Sequence, residues 1–275
     1  MKKLIKKLYA LIPFKSSIFS ILRIVWKPKK SIFQHLHFKG VFTVCINKQK
    51  KFKINHFGFQ IENEIFWRGL GAGWEKESLK VWIKLCEEAQ VIIDIGANTG
   101  VYALVAKTIN PRASVYAFEP HPMFFECLQK NIRLNNFDIK AFNKAVSDSN
   151  RKIEIDDYAA AAKSILVDCQ TLDTFVQENN LSKIDLMKID VETHEPQVLA
   201  GFSNYLTQFK PTMLIEILNQ EIAEKVNNFV RELGYLYFNI NEKTGLIQTA
   251  KIEQRDFYNY LLCSPETAIR IGLKT

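Results

Sequence analysis

The chain changes its hydrophobic period as it runs. From Ser31 to about Arg68 apolar and polar residues alternate. In "VFTVCINKQKKFKINHFG", Phe42, Val44 and Ile46, then Phe52 and Ile54, share one face on either side of a lysine-rich turn. A period of two is that of a half-buried strand, so a hairpin is expected here, with "IENEIFWRGL" continuing the strand pattern. Glycines at 69, 71 and 73 then break it. In "EKESLKVWIKLCEEAQ" the period lengthens, and Leu79, Trp82, Ile83 and Cys86 line one helical face.

Beyond that point strands and helices alternate. Strands are expected at 91–95, 114–118, 139–142, 184–189 and 211–217, and helices at 99–109, 122–135, 196–208 and 219–233. Pro122 suits the first position of its helix, where a missing N–H costs nothing. This alternation predicts an α/β fold, a parallel sheet covered on both faces. The long stretch 149–183 interrupts it with two short strands ("KIEID", "SILV") and a helix near "LDTFVQEN". "YLYFNI" and "YNYLLCSP" supply two C-terminal strands, with an antiparallel partner at the edge.

Charge changes this picture more than bulk composition does. Of 37 Lys and Arg, 14 precede Glu62, and no Asp or Glu does; the remainder carries 23 basic against 29 acidic residues, a net of −6. The chain therefore reads as a basic arm (1–30), a β-rich extension (31–73) and an ordinary acidic domain (74–275) that carries the insert 149–183. The arm opens like a secretory leader, but Lys15 and Arg23 interrupt its apolar part and no small-residue cleavage site follows. The same charges leave no apolar run long enough to span a bilayer. Ile18, Ile21, Leu22 and Val25 recur at helical spacing with Trp26 at the edge. That stripe suits either an anionic membrane interface or docking on the protein's own core or a second copy. Nucleic acid is disfavoured by so apolar an arm. Five scattered cysteines, without paired spacing, point to reduced thiols and an intracellular setting, at the inner membrane face if the arm binds lipid.

The chemistry is expected in "DIGANTGVYALVAKTINPRASVYAFEP". A P-loop ends in Gly-Lys-Ser/Thr, whereas this loop is Gly96-Ala97-Asn98-Thr99-Gly100 and has no lysine. A dinucleotide turn wants a second glycine where Asn98 stands. Glu119, at the end of the next strand, can accept both hydroxyls of a ribose. Free N–H groups where the following helix starts suit a carboxylate, and Asp94 an ammonium. Ribose, carboxylate and ammonium together describe S-adenosylmethionine.

The motifs "VIIDIGANTGVYALVAKTINPRASVYAFEP", "NKAVSD" and "IDLMKIDVETHEPQVLAG" resemble, in order, those of the FkbM-type family of S-adenosylmethionine-dependent methyltransferases. The resemblance spans Trp74 to Glu216. It implies a Rossmann-like class I methyltransferase sheet, seven-stranded and mostly parallel with helices on both faces, and methyl transfer to oxygen on sugars or glycan-like acceptors. By position, Asp94, Gly96, Asn98 and Gly100 would line the methionine end, with Ala97 and Thr99 in the same loop. Glu119 would hold the ribose beside Pro120, and His121 would sit by ribose or adenine or open the next helix. Asn143 and Ala145 would flank the adenine, ahead of Ser147 and Asp148, and Glu75 would close over the cofactor or start its helix.

In "KIDVETHEP" the resemblance places Asp190 nearest the methyl and amino end, with Glu192 or His194 orienting or deprotonating the acceptor. The family usually has glycine where this chain has Thr193, which bears on the reach of His194. Asp190, Glu192, His194 and Glu195 could instead be read as ligands of a divalent metal, and Lys188 as a structural partner of a neighbouring acid. Asp157, Tyr158 and Lys163 in the insert could bind sugar hydroxyls or simply face solvent. The expectation is an O-methyltransferase acting on a saccharide or lipid-linked glycan. The alternatives are a nicotinamide-dinucleotide dehydrogenase or a non-catalytic membrane scaffold. Lysine, asparagine and isoleucine usage hints at a bacterial source; oligomerisation is left open.

Overall fold

The computed structural model describes Tyr9, residues 14–157 and residues 163–274. Tyr158, a candidate for the acceptor pocket, and most of residues 1–13 lie outside the described residues. The chain divides into two units, Met1–Trp74 and Glu75–Thr275.

In the first unit, helices α1 (Lys15–Val25) and α2 (Lys30–Phe33) precede the hairpin of β1 (Gly40–Cys45) and β2 (Lys51–His56). The hairpin pairs Val44 with Phe52 and Phe42 with Ile54, and these four side chains are buried. The Asn47 side chain closes the turn by accepting from the Gln49 and Lys50 amides at 2.9 and 2.8 Å. "IENEIFWRGL" departs from the strand expectation. Gln60–Arg68 is a helix, α3, in which Ile65, Phe66 and Trp67 are consecutively buried, an arrangement a half-buried strand cannot make. Phe66 packs between Phe38 and Phe42 at centroid distances of 4.6 and 5.2 Å, and tertiary packing overrides the weak local alternation.

The second unit begins with α4 (Lys76–Cys86), then β3 (Val91–Ile95), α5 (Val101–Ile109), β4 (Ser114–Phe118), α6 (Pro122–Leu134) and β5 (Ile139–Phe142). The insert supplies a separate small sheet of β6 (Ala145–Val146), β7 (Lys152–Asp156) and β8 (Ser164–Gln170), followed by α7 (Leu172–Glu178). The chain returns through β9 (Leu186–Ile189), α8 (Glu195–Ala200), α9 (Ser203–Phe209), β10 (Thr212–Glu216) and α10 (Gln220–Val230). It closes with β11 (Leu236–Asn241), β12 (Gly245–Thr249), β13 (Asn259–Cys263) and α11 (Pro265–Arg270).

The main sheet runs β12-β11-β13-β10-β9-β3-β4-β5. Its central pairings, from β10 through β9, β3 and β4 to β5, are all parallel, while β13 lies antiparallel between β10 and β11. This is the Rossmann-like methyltransferase sheet of seven strands, with β12 added at one edge. β9 and β10 are buried almost throughout, as expected of strands covered on both faces. The single helix expected at 196–208 is two, parted at Gly201, where a Cβ would lie 2.0 Å from the Ser147 carbonyl oxygen.

Strand order places the chemistry. From β3 the chain moves outward through β4 and β5, then returns to β9 on the other side of β3. In such sheets the crevice beyond the carboxyl ends at this reversal is the place where a ligand fits.

Candidate active site

Two strand ends meet at that reversal. Gly96 follows β3 with φ 80°, and a Cβ there would stand 1.8 Å from the Asp190 carbonyl oxygen after β9. Glycine is therefore required twice, for the left-handed backbone and for the contact. Asn98 is also left-handed (φ 51°), a conformation asparagine tolerates. The turn's amides are largely taken within the protein. Asn98 N–H donates to Glu119 Oε2 at 2.7 Å, Thr99 N–H to Asn98 Oδ1 at 2.8 Å, Gly100 N–H to Ala97 O at 2.8 Å and Ala103 N–H to Asp94 Oδ2 at 2.9 Å. Free amides for a carboxylate are accordingly fewer than the sequence suggested, and Asp94 is engaged in holding the start of α5.

Glu119, just past β4, accepts from the Asn98 and His121 amides, one on each carboxylate oxygen (2.7 and 2.8 Å). Each oxygen keeps a second lone pair, so the carboxylate can still receive two hydroxyls. Burial lifts its pKa to about 7 against the pull of those two amides, and burial likewise brings Asp94 to about 7. His121 caps α6 by accepting from Met123 N–H at 3.2 Å, and its Nε2 lies 3.3 Å from Asp157 Oδ1. The exposed Asn143 donates to the carbonyls of Glu119 and Pro120, both at 2.9 Å, while Ala145 is buried in the small sheet. Thr99 Oγ1 is buried without a hydrogen-bond partner among the described residues.

On the other side, Glu75, Asp190 and Glu216 each bring a carboxylate oxygen within 4.8 Å of the others. Lys188, 1% exposed, reaches into this group with Nζ 3.0 Å from Asp190 Oδ2 and 3.5 Å from Asn259 Oδ1. Burial alone would lower the lysine, but Asp190, Glu75 and Glu216 overrule it and hold the ammonium above its ordinary value. Burial and the crowding by Asp190 push Glu216 above the usual carboxyl range. Glu75 is raised by burial, with Asp190 adding to it, against Lys188 and a 2.5 Å hydrogen bond from Tyr102 Oη. Three carboxyls share one ammonium, so the crevice favours positive charge.

Glu216 is not among the candidate site residues expected from the sequence. It carries no motif, and its place beside Asp190 follows only from the pairing of β10 with β9. The contiguous metal set read from sequence is not what converges here. Among the described residues, the cluster with ligand-like spacing is Glu75, Asp190 and Glu216, and Lys188 already supplies a cation to it.

The segment after Asp190 is bent sharply, with Glu192 at φ 53° and Thr193 at φ 78°. A β-branched residue there is strained, which accounts for glycine suiting that position. The bend turns His194 Nε2 onto Ser147 Oγ at 2.9 Å, while Glu195 Oε1 accepts from Val191 N–H at 3.2 Å. Burial lowers the His194 pKa, with Asp148 opposing. Glu192 is exposed, and its carboxyl is raised by burial of part of the side chain and by Asp190.

The sequence profile of the Methyltransferase FkbM domain matches residues 94–237, just over half of the chain. The chain belongs to this family. It is 28% identical over 152 residues to hexuronic acid methyltransferase AglP of Haloferax volcanii, covering 52% of this chain and 62% of that protein. It is 27% identical over 162 residues to 2-O-methyltransferase NoeI of Sinorhizobium fredii, covering 49% and 65%. In both cases the matched stretch is less than two thirds of the curated relative's length. A crystal structure of methyltransferase FkbM from Methylobacillus flagellatus aligns with 64% of this chain and 44% of its own, with TM-score 0.44 and 16% identity. The FkbM-type resemblance of the motifs is thus a family membership.

Proposed function

We propose that this FkbM-family chain is an S-adenosylmethionine-dependent O-methyltransferase whose acceptor is a hydroxyl of a saccharide or lipid-linked glycan. The observation that carries the reading is the pairing, across one strand reversal, of a ribose-competent carboxylate with a carboxylate-rich crevice. Glu119 offers two spare lone pairs, and the Thr99 hydroxyl, without a hydrogen-bond partner among the described residues, lies in the glycine turn that Glu119 holds. Glu75, Asp190 and Glu216 favour the positive charge of a sulfonium and an ammonium. These residues fit the cofactor. When bound, S-adenosylmethionine supplies an electrophilic methyl group on a sulfonium.

The chain's own residues position and deprotonate the acceptor. As the acceptor oxygen takes the methyl group, its proton passes to a carboxylate, for which Asp190 and the exposed Glu192 are the candidates. Lys188 holds Asp190 in place. His194 serves better as an anchor than as a base, because its Nε2 is engaged with Ser147. The saccharide class is supported by the name of one relative, a hexuronic acid methyltransferase, and transfer to oxygen by that of another, a 2-O-methyltransferase. Asp157 and Lys163 remain candidates for the acceptor side.

The test is calorimetric titration with S-adenosylmethionine, followed by release of S-adenosylhomocysteine in the presence of free hexuronic acids and neutral sugars. Saturable cofactor binding and acceptor-dependent turnover are expected. A folded protein that binds reduced nicotinamide dinucleotide and not S-adenosylmethionine would overturn the proposal.

A further inference from the structure

The first unit contains a helix that turns its apolar stripe outward. In α1, Phe19 is buried, and Arg23 donates to the Phe66 carbonyl at 3.1 Å while lying over the Phe66 ring. Phe19 stacks obliquely on Trp67, with centroids 5.5 Å apart. These contacts fix which side of the helix faces the unit's own core. On the opposite side Phe14, Ile18, Ile21 and Val25, spaced four, three and four residues apart, are exposed, as is Ile24 beside them. Spacing of that kind makes one continuous face. Ile21, Ile24 and Val25 are 68%, 77% and 83% exposed, an uncommon state for three large apolar residues of one helix.

The surrounding charge identifies the partner. Residues 1–74 hold 15 Lys and Arg against two acids, Glu62 and Glu64. Trp26 lies half-exposed at the helix end, and the exposed Lys27 and Lys29 follow it directly. A second copy of the chain pairing along this face would bring two such basic clusters together. An anionic lipid surface meets both features at once, since it accepts the apolar stripe and attracts the lysines. Among the described residues no helix is long and apolar enough to cross a membrane.

We infer that α1 lies in the interface of an anionic bilayer, with Phe14, Ile18, Ile21 and Val25 inserted and Lys27 and Lys29 on the headgroups. This does not rest on the methyltransferase reading, although an acceptor carried on a lipid would share the surface.

The experiment is co-sedimentation of the full chain with vesicles of phosphatidylcholine alone and of equimolar phosphatidylcholine and phosphatidylglycerol. Binding to the anionic vesicles only, reversed by high salt, is expected. The double variant Ile21→Glu/Val25→Glu should weaken it more than tenfold. Lys27→Gln and Lys29→Gln should each weaken it about fivefold. Circular dichroism of the variants should match wild type, because all four side chains are exposed. Equal binding to neutral vesicles, wild-type binding by the double variant, or no vesicle binding together with a dimer that the double variant splits would each overturn the inference.

Discussion

The two halves of the crevice are built by different means. The β3 half is made by backbone: a left-handed glycine, a left-handed asparagine and a carboxylate that ties the turn to β4. The β9 half is made by side chains from places distant in sequence, with Glu75 before α4, Lys188 and Asp190 around the end of β9, and Glu216 at the end of β10. The first half is shaped by sterics at Gly96, with Glu119 as a pH-sensitive tie to β4. The second is held by a charge balance that any single substitution upsets. Shape is therefore expected to fail abruptly, and charge by degrees.

Gly96→Ala probes the backbone half at its tightest point. The neighbour at 1.8 Å is a carbonyl oxygen of the chain itself, so the two strand ends must separate. We expect destabilisation above about 4 kcal/mol and complete loss of S-adenosylmethionine binding, read by chemical denaturation and calorimetry. A variant of near wild-type stability would break the comparison. Lys188→Met tests the charge half. It leaves three carboxyls without their buried ammonium, and a loss of about 3–5 kcal/mol is expected. That loss should grow with rising pH, as the remaining carboxyls are driven to ionise.

Glu119→Gln should retain the fold and lower cofactor affinity about 10- to 100-fold, because a charged acceptor is replaced by a neutral one. The pH response sharpens this. Glu119 in the folded, unliganded protein has a pKa near 7, above its unfolded value. Its contribution to stability is therefore fully present below the unfolded value and lost as pH rises through about 7. Cofactor affinity should move the other way, increasing through the same range as the carboxylate that accepts the ribose forms. In Glu119→Gln the part of the profile due to this residue should disappear. The smallest effect is expected at Thr193→Gly, where release of the φ 78° strain should stabilise the protein by about 1 kcal/mol. A lowered melting temperature would show that the threonine side chain makes a contact worth more than its strain.

What could be read from the sequence divides along the same line. The strands at 91–95, 114–118 and 139–142, the glycine turn and the place of Glu119 just past β4 were legible because each is local, a run of apolar residues or a turn whose spacing carries its own geometry. The Glu216 partnership was not, since a strand-end glutamate acquires meaning only when β10 pairs beside β9. Helix α3 was misread because its burial comes from aromatic packing with the hairpin. The antiparallel partner expected at the edge is β12, whose position the sequence did not mark because Gly245–Thr249 is short and has no buried face. His194 was named for its chemistry, yet the bend at Glu192 and Thr193 directs it to Ser147, a contact 47 positions away in the chain.

The central claim is that this crevice holds S-adenosylmethionine, with Glu119 on the ribose. It is tested most directly by titrating the cofactor into wild type and Glu119→Gln in parallel, above and below neutral pH. The account predicts saturable binding by wild type that strengthens as pH rises through about 7, and weaker binding by Glu119→Gln without that rise. Equal affinity of the two proteins, or a folded wild type that shows no binding, would contradict it.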